Sequence, residues 1–478
     1  KEQSFNGTNV DVSEWPKSKL LISPRLGFNW DIKGDRSIVL TGGTGLFTGL
    51  LPFVWFTNQP TNAGQMQNMV EFETSELPAN FAFNPNYKET LTQNPDMFPS
   101  TPGNEVPGAI AYVDPNFKMP QVWRSNVNPE FQLPYGFMLS VGAMYTRDIY
   151  NVVQKNMNEK APSGTYNEQP GRVYWTKNNY YDNPKTKTVI QLTNGDEKGY
   201  QYSFNAVLTK KFDFGFTGSF GYTYTMAKDM TANPGSSAAS VWQNNVAVNS
   251  LNDPGVSYSL FSTPHRLIAN ASYEVAYANM KTTVSLFYTG YQQGRFSYTY
   301  SNDMNGDGNY SDLMYVPASK EEMTFVDIKD KQNNVTYSAV DQQEDFWNYV
   351  NNDSYLNDHK GQYVERASSL EPWIHRFDMK IAQDFYAKIG SRKYGIQVSL
   401  DMLNIGNLLN SKWGAYRSCG LQSYDNVRLL KTASKVGEPL TYQMNASSRE
   451  VFQKNSKWDY TASTGSAWQM QLGVKFTF

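Results

Sequence analysis

Asp303, Asn305, Asp307 and Asp312 are the residues of this sequence whose types and spacing best suit chemistry. They lie in the run Asp303-Met304-Asn305-Gly306-Asp307-Gly308, with Asn309 directly behind. Carboxylate and amide oxygens at alternate positions, around a turn that glycine permits, are how an oxygen-ligand loop closes on Ca²⁺. The twelfth position is Met314 rather than Glu, so the bidentate ligand is missing unless Asp312 substitutes. The plainer reading is an Asn/Asp/Gly turn at the tip of a long loop. Calcium is the one cofactor the sequence suggests.

Other candidates are weaker. Gly42, Gly43, Gly45 and Gly49 resemble a phosphate cradle, but no Lys-Ser/Thr follows them. The segment reads as a strand, where glycine marks a bend or a close backbone approach. His265 and His375 each precede Arg at the start of an expected strand, and His359 stands alone in a loop. They are expected to be structural or rim residues. No His-Glu-x-x-His or Gly-x-Ser-x-Gly run occurs, so no catalytic residues are assigned and no enzyme activity is expected. The loop aromatics Trp55, Phe56, Trp242, Trp347 and Tyr355 could pack the loops internally, the favoured reading, or form a flat platform for a substrate.

The elements that position these residues follow from composition and period. Of 478 residues only 18% are charged while 15% are aromatic, with 32 Tyr, 27 Phe and 11 Trp. Mean hydropathy is −0.58. No run approaches the ~20 apolar residues of a membrane helix. The net charge of −2, without a basic tract, gives nucleic-acid binding no support. A single cysteine, Cys419, excludes an intrachain disulfide framework and a Cys-based zinc site. Lys1 opens no signal peptide, so an exported chain of this kind is expected to be a processed product or part of a longer one.

Alternation decides the class. Trp468, Met470, Leu472, Val474, Phe476 and Phe478 share one face; Gln469, Gln471, Gly473, Lys475 and Thr477 share the other. That is the ~10-residue pattern of a strand with lipid on one side and a polar lumen on the other. It recurs in 202–208, 214–226, 266–275, 376–385 and 396–402, where Arg266, Glu274, Arg376, Asp378 and Lys380 fall on the polar face. Short turns near 33–36, 133–136, 213, 276–280 and 388–393 alternate with long connections near 58–118, 159–199, 230–263, 301–371 and 411–465, as in an outer-membrane barrel. Eleven strands are expected, beginning near 23, 36, 119, 137, 200, 214, 264, 280, 373, 394 and 466. An odd antiparallel set cannot close on itself, and lipid does not tolerate open edges. Further strands are therefore expected from elsewhere.

Ser23-Pro24-Arg25-Leu26-Gly27-Phe28, Gly42–Gly49, Pro120–Asn126, Thr263-Pro264-His265-Arg266, Asn305–Asn309 and Asp401–Asn410 are further segments of note. Together they resemble the C-terminal barrel portion of TonB-dependent outer-membrane transporters, most closely the Oar-like branch. The terminal Phe478 resembles the assembly signal of outer-membrane proteins. The resemblance implies a barrel of roughly 22 strands with a plugged lumen. This chain, 1–478, would be its C-terminal half, with plug and N-terminal domains outside it.

The expected architecture is thus all-β, a transmembrane antiparallel barrel in the outer membrane. The expected function is energy-coupled uptake of a solute too large or scarce for a porin, with capture by the long loops. The alternative is a structural barrel subunit of an envelope complex. Expected partners are outer-membrane lipid, the remaining barrel half and plug, the TonB complex through that part, and a surface lipoprotein or other envelope subunit.

Overall fold

A computed structural model describes residues 3–5, 8–63, 66, 72, 74–79, 81–98, 109–177, 179–180, 188–423, 425–445, 449 and 458–478. Eleven long strands form one antiparallel sheet, each paired with its neighbour in sequence. They are β1 (Arg25–Asp31), β2 (Ile38–Thr48), β3 (Gln121–Leu133), β4 (Phe137–Tyr150), β5 (Tyr200–Lys211) and β6 (Phe216–Asp229), then β7 (His265–Tyr277), β8 (Met280–Gln292), β9 (Trp373–Ile389), β10 (Arg392–Leu403) and β11 (Gln469–Thr477). The expected strand starts fall close by, 214 against Phe216 being typical and 466 against Gln469 the widest departure. The short strands Gln3–Phe5, Thr8–Val10, Asn426–Thr432 and Tyr442–Met444 pair outside this sheet.

The register joins the alternating faces into one apolar band. Ala271, Leu286, Met379, Met402 and Met470 stand side by side across β7 to β11, and Tyr273, Val284, Ile381, Leu400 and Leu472 form the next row. Across β7 to β11 the band is most open on β11, where Leu472 and Val474 are each 72% exposed, while Met402 is buried between its neighbours. The other face carries the polar set, where Lys380 reaches Asp401 at 2.8 Å and Lys281 reaches Glu274 at 3.1 Å. A one-residue slip would invert every one of these assignments, so the band fixes the register.

Gly42 shows why the glycine run belongs to a strand. A Cβ there would lie 2.7 Å from the Phe28 ring and 2.8 Å from the Asn126 carbonyl. The missing side chain is what lets Phe28 lie across β2. The run serves packing, as its strand reading anticipated.

The strands are joined alternately by tight turns and by long connections at one end of the sheet. Asp31 closes the first tight turn by accepting the amides of Gly34 and Arg36, each at 2.9 Å. The long connections fold into a cap with a hydrophobic core of its own. Phe296, Tyr298, Tyr300, Met314, Val350 and Leu356 are each at most 1% exposed there, together with Val427, Leu429, Leu430 and Met444. A short parallel pairing of Arg295–Tyr300 with Asn426–Thr432 organises this core. The helix Ala339–Asn352 covers it, its first turn capped by Ser338 Oγ accepting the Asp341 amide at 3.1 Å. The sheet spends its apolar face outward, so the cap holds most of the large fully buried side chains among the described residues.

At the two edges, β1 pairs only with β2 and β11 only with β10 among the described residues. The meander makes β1 and β11 run in the same direction, and they do not pair with each other. No helix of the described residues is long and apolar enough to cross a membrane, which says nothing of strands.

Candidate functional site: a polar cavity in the loop cap

Three long connections meet around a cavity of about 350 Å³. The connection after β6 contributes Gln243, Asn244 and Asn245 at the end of the helix Ala238–Gln243. Ser237 and Ser240 bond reciprocally to each other's backbone amides at the start of that helix and fix its direction. The connection after β8 contributes Gly308–Ser311 and Arg366, and the connection after β10 contributes Asp425, Asn426 and Arg428.

Arg366 is the best-anchored wall. Its guanidinium donates to the Asp229 carboxylate at 3.0 Å, to the backbone carbonyls of Asp229 and Met230, and to Asn245 Oδ1 at 3.1 Å. Burial lowers the pKa of Arg366 and raises that of Asp425, and Arg428 is lowered for the same reason. The Arg428 guanidinium donates to the Tyr310 carbonyl at 3.3 Å. The Nε of Arg366 and the Nε of Arg428 have no hydrogen-bond partner among the described residues. Two arginines, a carboxylate and several amide side chains thus line the cavity, while the two unpartnered Nε atoms are themselves buried. Such a lining suits a polar solute that carries hydrogen-bonding groups and a carboxylate.

The 303–312 loop forms part of the same wall, through Gly308 and Asn309. Asp303 accepts the amides of Gly306, Asp307 and Gly308 at 2.8, 3.1 and 2.8 Å. Asn305 Oδ1 accepts the Asp307 amide at 2.9 Å, and Asp307 Oδ1 accepts the Asn309 amide at 2.7 Å. Asp312 accepts the Met304 amide at 3.0 Å and pairs with Arg172 at 3.3 Å. All four residues of the expected calcium set are thus in one loop, and their oxygens close that loop on itself. Among the described residues no group of three or more His, Cys, Asp or Glu is gathered as a metal set. Burial pushes the Asp303 and Asp307 carboxyls up, with the Asp312 and Asp303 charges adding to the effect at Asp307, and raises Asp312 to about 7 against the pull of Arg172.

The loop aromatics mostly pack inward. Trp55 and Phe56 belong to a small core with Val113 and Phe117, and Trp242 packs with Ile190 and Leu251. Trp347 lies half-buried against the main cap core with Lys360 Nζ 4.7 Å from its ring centre. The Tyr355 hydroxyl accepts the Glu365 amide at 3.0 Å, and its ring stacks on His359 at 4.0 Å. None of Trp55, Trp242, Trp347 and Tyr355 lines the cavity. His265 and His375 sit at the rim. His375 Nδ1 is 2.8 Å from the Tyr288 hydroxyl, and His265 Nδ1 is 2.7 Å from that of Tyr222. Gly290 makes the first of these contacts possible, because a Cβ there would lie 2.3 Å from the Tyr288 hydroxyl.

A meander of long strands, apolar outward and polar inward, with all long connections at one end, is what an outer-membrane barrel requires. Residues 3–413 match the outer membrane beta barrel domain family. The chain belongs to that family. Its apolar band is the lipid-facing surface of an outer-membrane barrel, and His265, His375 and their tyrosine partners belong to its aromatic girdle. No curated protein matches the chain by sequence.

Among solved structures, the outer membrane transporter YddB from Escherichia coli is similar at 10% identity and a TM-score of 0.42, over 96% of this chain and 41% of that one. The siderophore receptor PirA from Acinetobacter baumannii is similar at 10% identity and a TM-score of 0.35, over 80% and 37%. The RagAB peptide importer in its closed-closed state follows at 9% identity and a TM-score of 0.26, over 95% and 41%. The chain thus spans about two fifths of the length of these barrels.

The cavity walls Arg366, Asp425 and Arg428 were not marked by the sequence. They come from two connections without periodicity, Arg366 from one and Asp425 and Arg428 from the other, and only the packing of the cap brings them together.

Proposed function

We propose that this chain is the C-terminal barrel portion of a TonB-dependent importer of the Oar-like kind, with the loop cap as its ligand-capturing part. On this reading the remaining strands and the plug complete the barrel, and the TonB complex acts through that part. The protein binds and passes a solute and catalyses no reaction. The observation that carries the reading is a sheet whose two edges have no strand partner among the described residues, topped by an ordered cap with a polar cavity. Lipid cannot satisfy open strand edges, so a working barrel needs more strands. A purely structural barrel has no need of a polar cavity lined by two arginines, a carboxylate and amide side chains. The mixed charge of Arg366, Arg428 and Asp425 favours a polar solute bearing a carboxylate over an apolar one.

Solute depletion from the medium tests this. Wild-type cells, cells lacking the whole gene and cells lacking TonB would be given a mixed pool of peptides and acidic oligosaccharides. An importer predicts that some solute is depleted only by the wild type. If no solute distinguishes the strains and loss of the gene instead disturbs envelope assembly, the barrel is a scaffold.

A further inference from the structure

A second cavity, of about 400 Å³, lies on the lipid side of the sheet at the long-loop end of β9. Trp373, Phe377, Trp413 and Tyr460 supply its apolar walls, with Lys412 and Arg417 at the loop side. Trp373 and Phe377 stand on the same outward face of β9 as Met379 and Ile381, so the cavity continues the lipid-facing band. Above it the chain leaves large apolar side chains uncovered: Leu409 is 77% exposed and Trp413 56%.

The cations are what set this place apart from the rest of the girdle. Neither Lys412 nor Arg417 makes an ion pair among the described residues. Lys412 Nζ and Arg417 Cζ lie 5.7 and 5.8 Å from the centre of the Tyr460 ring, so both charges sit against that one aromatic side chain. Arg417 also donates to the Trp373 carbonyl at 3.4 Å. The nearest carboxylate in sequence to this group is Asp459. It pairs with Ser418 while Tyr460 pairs with Arg417, and alternate residues of a ladder point to opposite faces. Asp459 therefore does not neutralise the pair from the cavity side, and no acidic residue lines the cavity.

We infer that this cavity binds a phosphorylated membrane lipid of the leaflet on the long-loop side. The phosphate sits between Lys412 and Arg417, and an acyl chain runs along Trp413, Trp373 and Phe377. Two uncompensated cations at the end of an apolar wall complement an anionic headgroup carried on a hydrocarbon chain. A soluble anion would gain nothing from the aromatic wall, and an apolar partner would leave the charges unpaired. The inference rests on the outer-membrane placement of the band and is independent of what the barrel transports.

Native mass spectrometry of the intact gene product, purified from outer membranes and stripped of lipid, tests it. The probes are bisphosphorylated lipid A, phosphatidylglycerol and dephosphorylated lipid A. Retention of the phosphorylated lipids should fall about fivefold for Lys412→Gln and about twenty-five-fold for Lys412→Gln with Arg417→Gln, at roughly one tenth to one fifth of full affinity per lost cation. The charge-preserving pair Lys412→Arg and Arg417→Lys should retain lipid as the wild type does. Equal retention of dephosphorylated lipid A, retention unchanged in the double Gln variant, or loss in the charge-preserving pair would each overturn the inference. Displacement of the lipid by millimolar inorganic phosphate alone would likewise overturn it in favour of a free-anion site.

Discussion

Arg172 and Asp312 lie 3.3 Å apart with side chains 0% and 2% exposed, and they join the connection after β4 to the connection after β8. Arg172 also donates to the Val248 and Leu313 carbonyls, and its guanidinium carbon lies 4.9 Å from the Tyr363 ring centre. One residue thereby ties three of the long connections together. Removing one member of a buried pair leaves the other charge without compensation, at a cost of roughly 3–5 kcal/mol. Arg172→Met should therefore loosen the cap by about that amount. Urea unfolding followed by tryptophan fluorescence of the cap would measure it, and a change below about 1 kcal/mol would show that the pair does not hold the cap.

The same loop predicts a pH dependence. Asp303, Asp307 and Asp312 all have carboxyl pKa values raised on folding, chiefly by burial, with Asp312 at about 7. A group raised in the folded state contributes stability that is complete below its unfolded value and is lost as pH rises through the folded one. For Asp312 that window runs from about 4 to about 7. The cap should thus resist limited proteolysis better at pH 5 than at pH 8, and Asp307→Asn should reduce the difference. Millimolar calcium should leave protection at pH 8 unchanged, since the loop oxygens already accept its own amides. Calcium-dependent protection abolished by Asp303→Asn would instead make 303–312 a metal loop.

The register gives a third prediction. Leu400 faces lipid between Ile381 and Leu472, whereas Thr477 lies on the polar face of β11, opposite Gly395. Leu400→Arg should destabilise the folded barrel by about 2–4 kcal/mol if it lies near the bilayer midplane, and Thr477→Arg by at most about 1. Urea titration of the intact barrel in lipid bilayers would read both. The opposite order would mean that every facing assignment is off by one residue.

How much of this was legible beforehand depended on the solvent each segment meets. β7 to β11 face lipid on one side and a polar lumen on the other, so a period of two is written into them, and their starts and turns could be read directly. Arg295–Tyr300 carries no such signal, because all six of its residues are buried and apolar and polar side chains alike face protein. The cap core built on Phe296, Tyr298 and Tyr300 therefore looked like part of a long polar connection. The Asp303–Asp312 run was visible as a motif, but spacing alone could not separate a turn closed by its own amides from a metal loop. The pairing of Asp312 with Arg172, more than a hundred residues away in sequence, is a tertiary contact that spacing does not encode. Trp55 and Trp242 behaved as the packing reading of loop aromatics expected.

The most direct test of the proposed larger barrel is amide hydrogen exchange of the intact gene product in native outer membranes, read at β1 and β11. In an antiparallel ladder alternate residues bond to opposite neighbours, so each edge strand has one set of amides that β2 or β10 cannot protect. If further strands complete the barrel, both sets in Arg25–Asp31 and both sets in Gln469–Thr477 exchange slowly. Rapid exchange of the outward set in either strand, or protection that arises from β1 pairing directly with β11, would contradict the account.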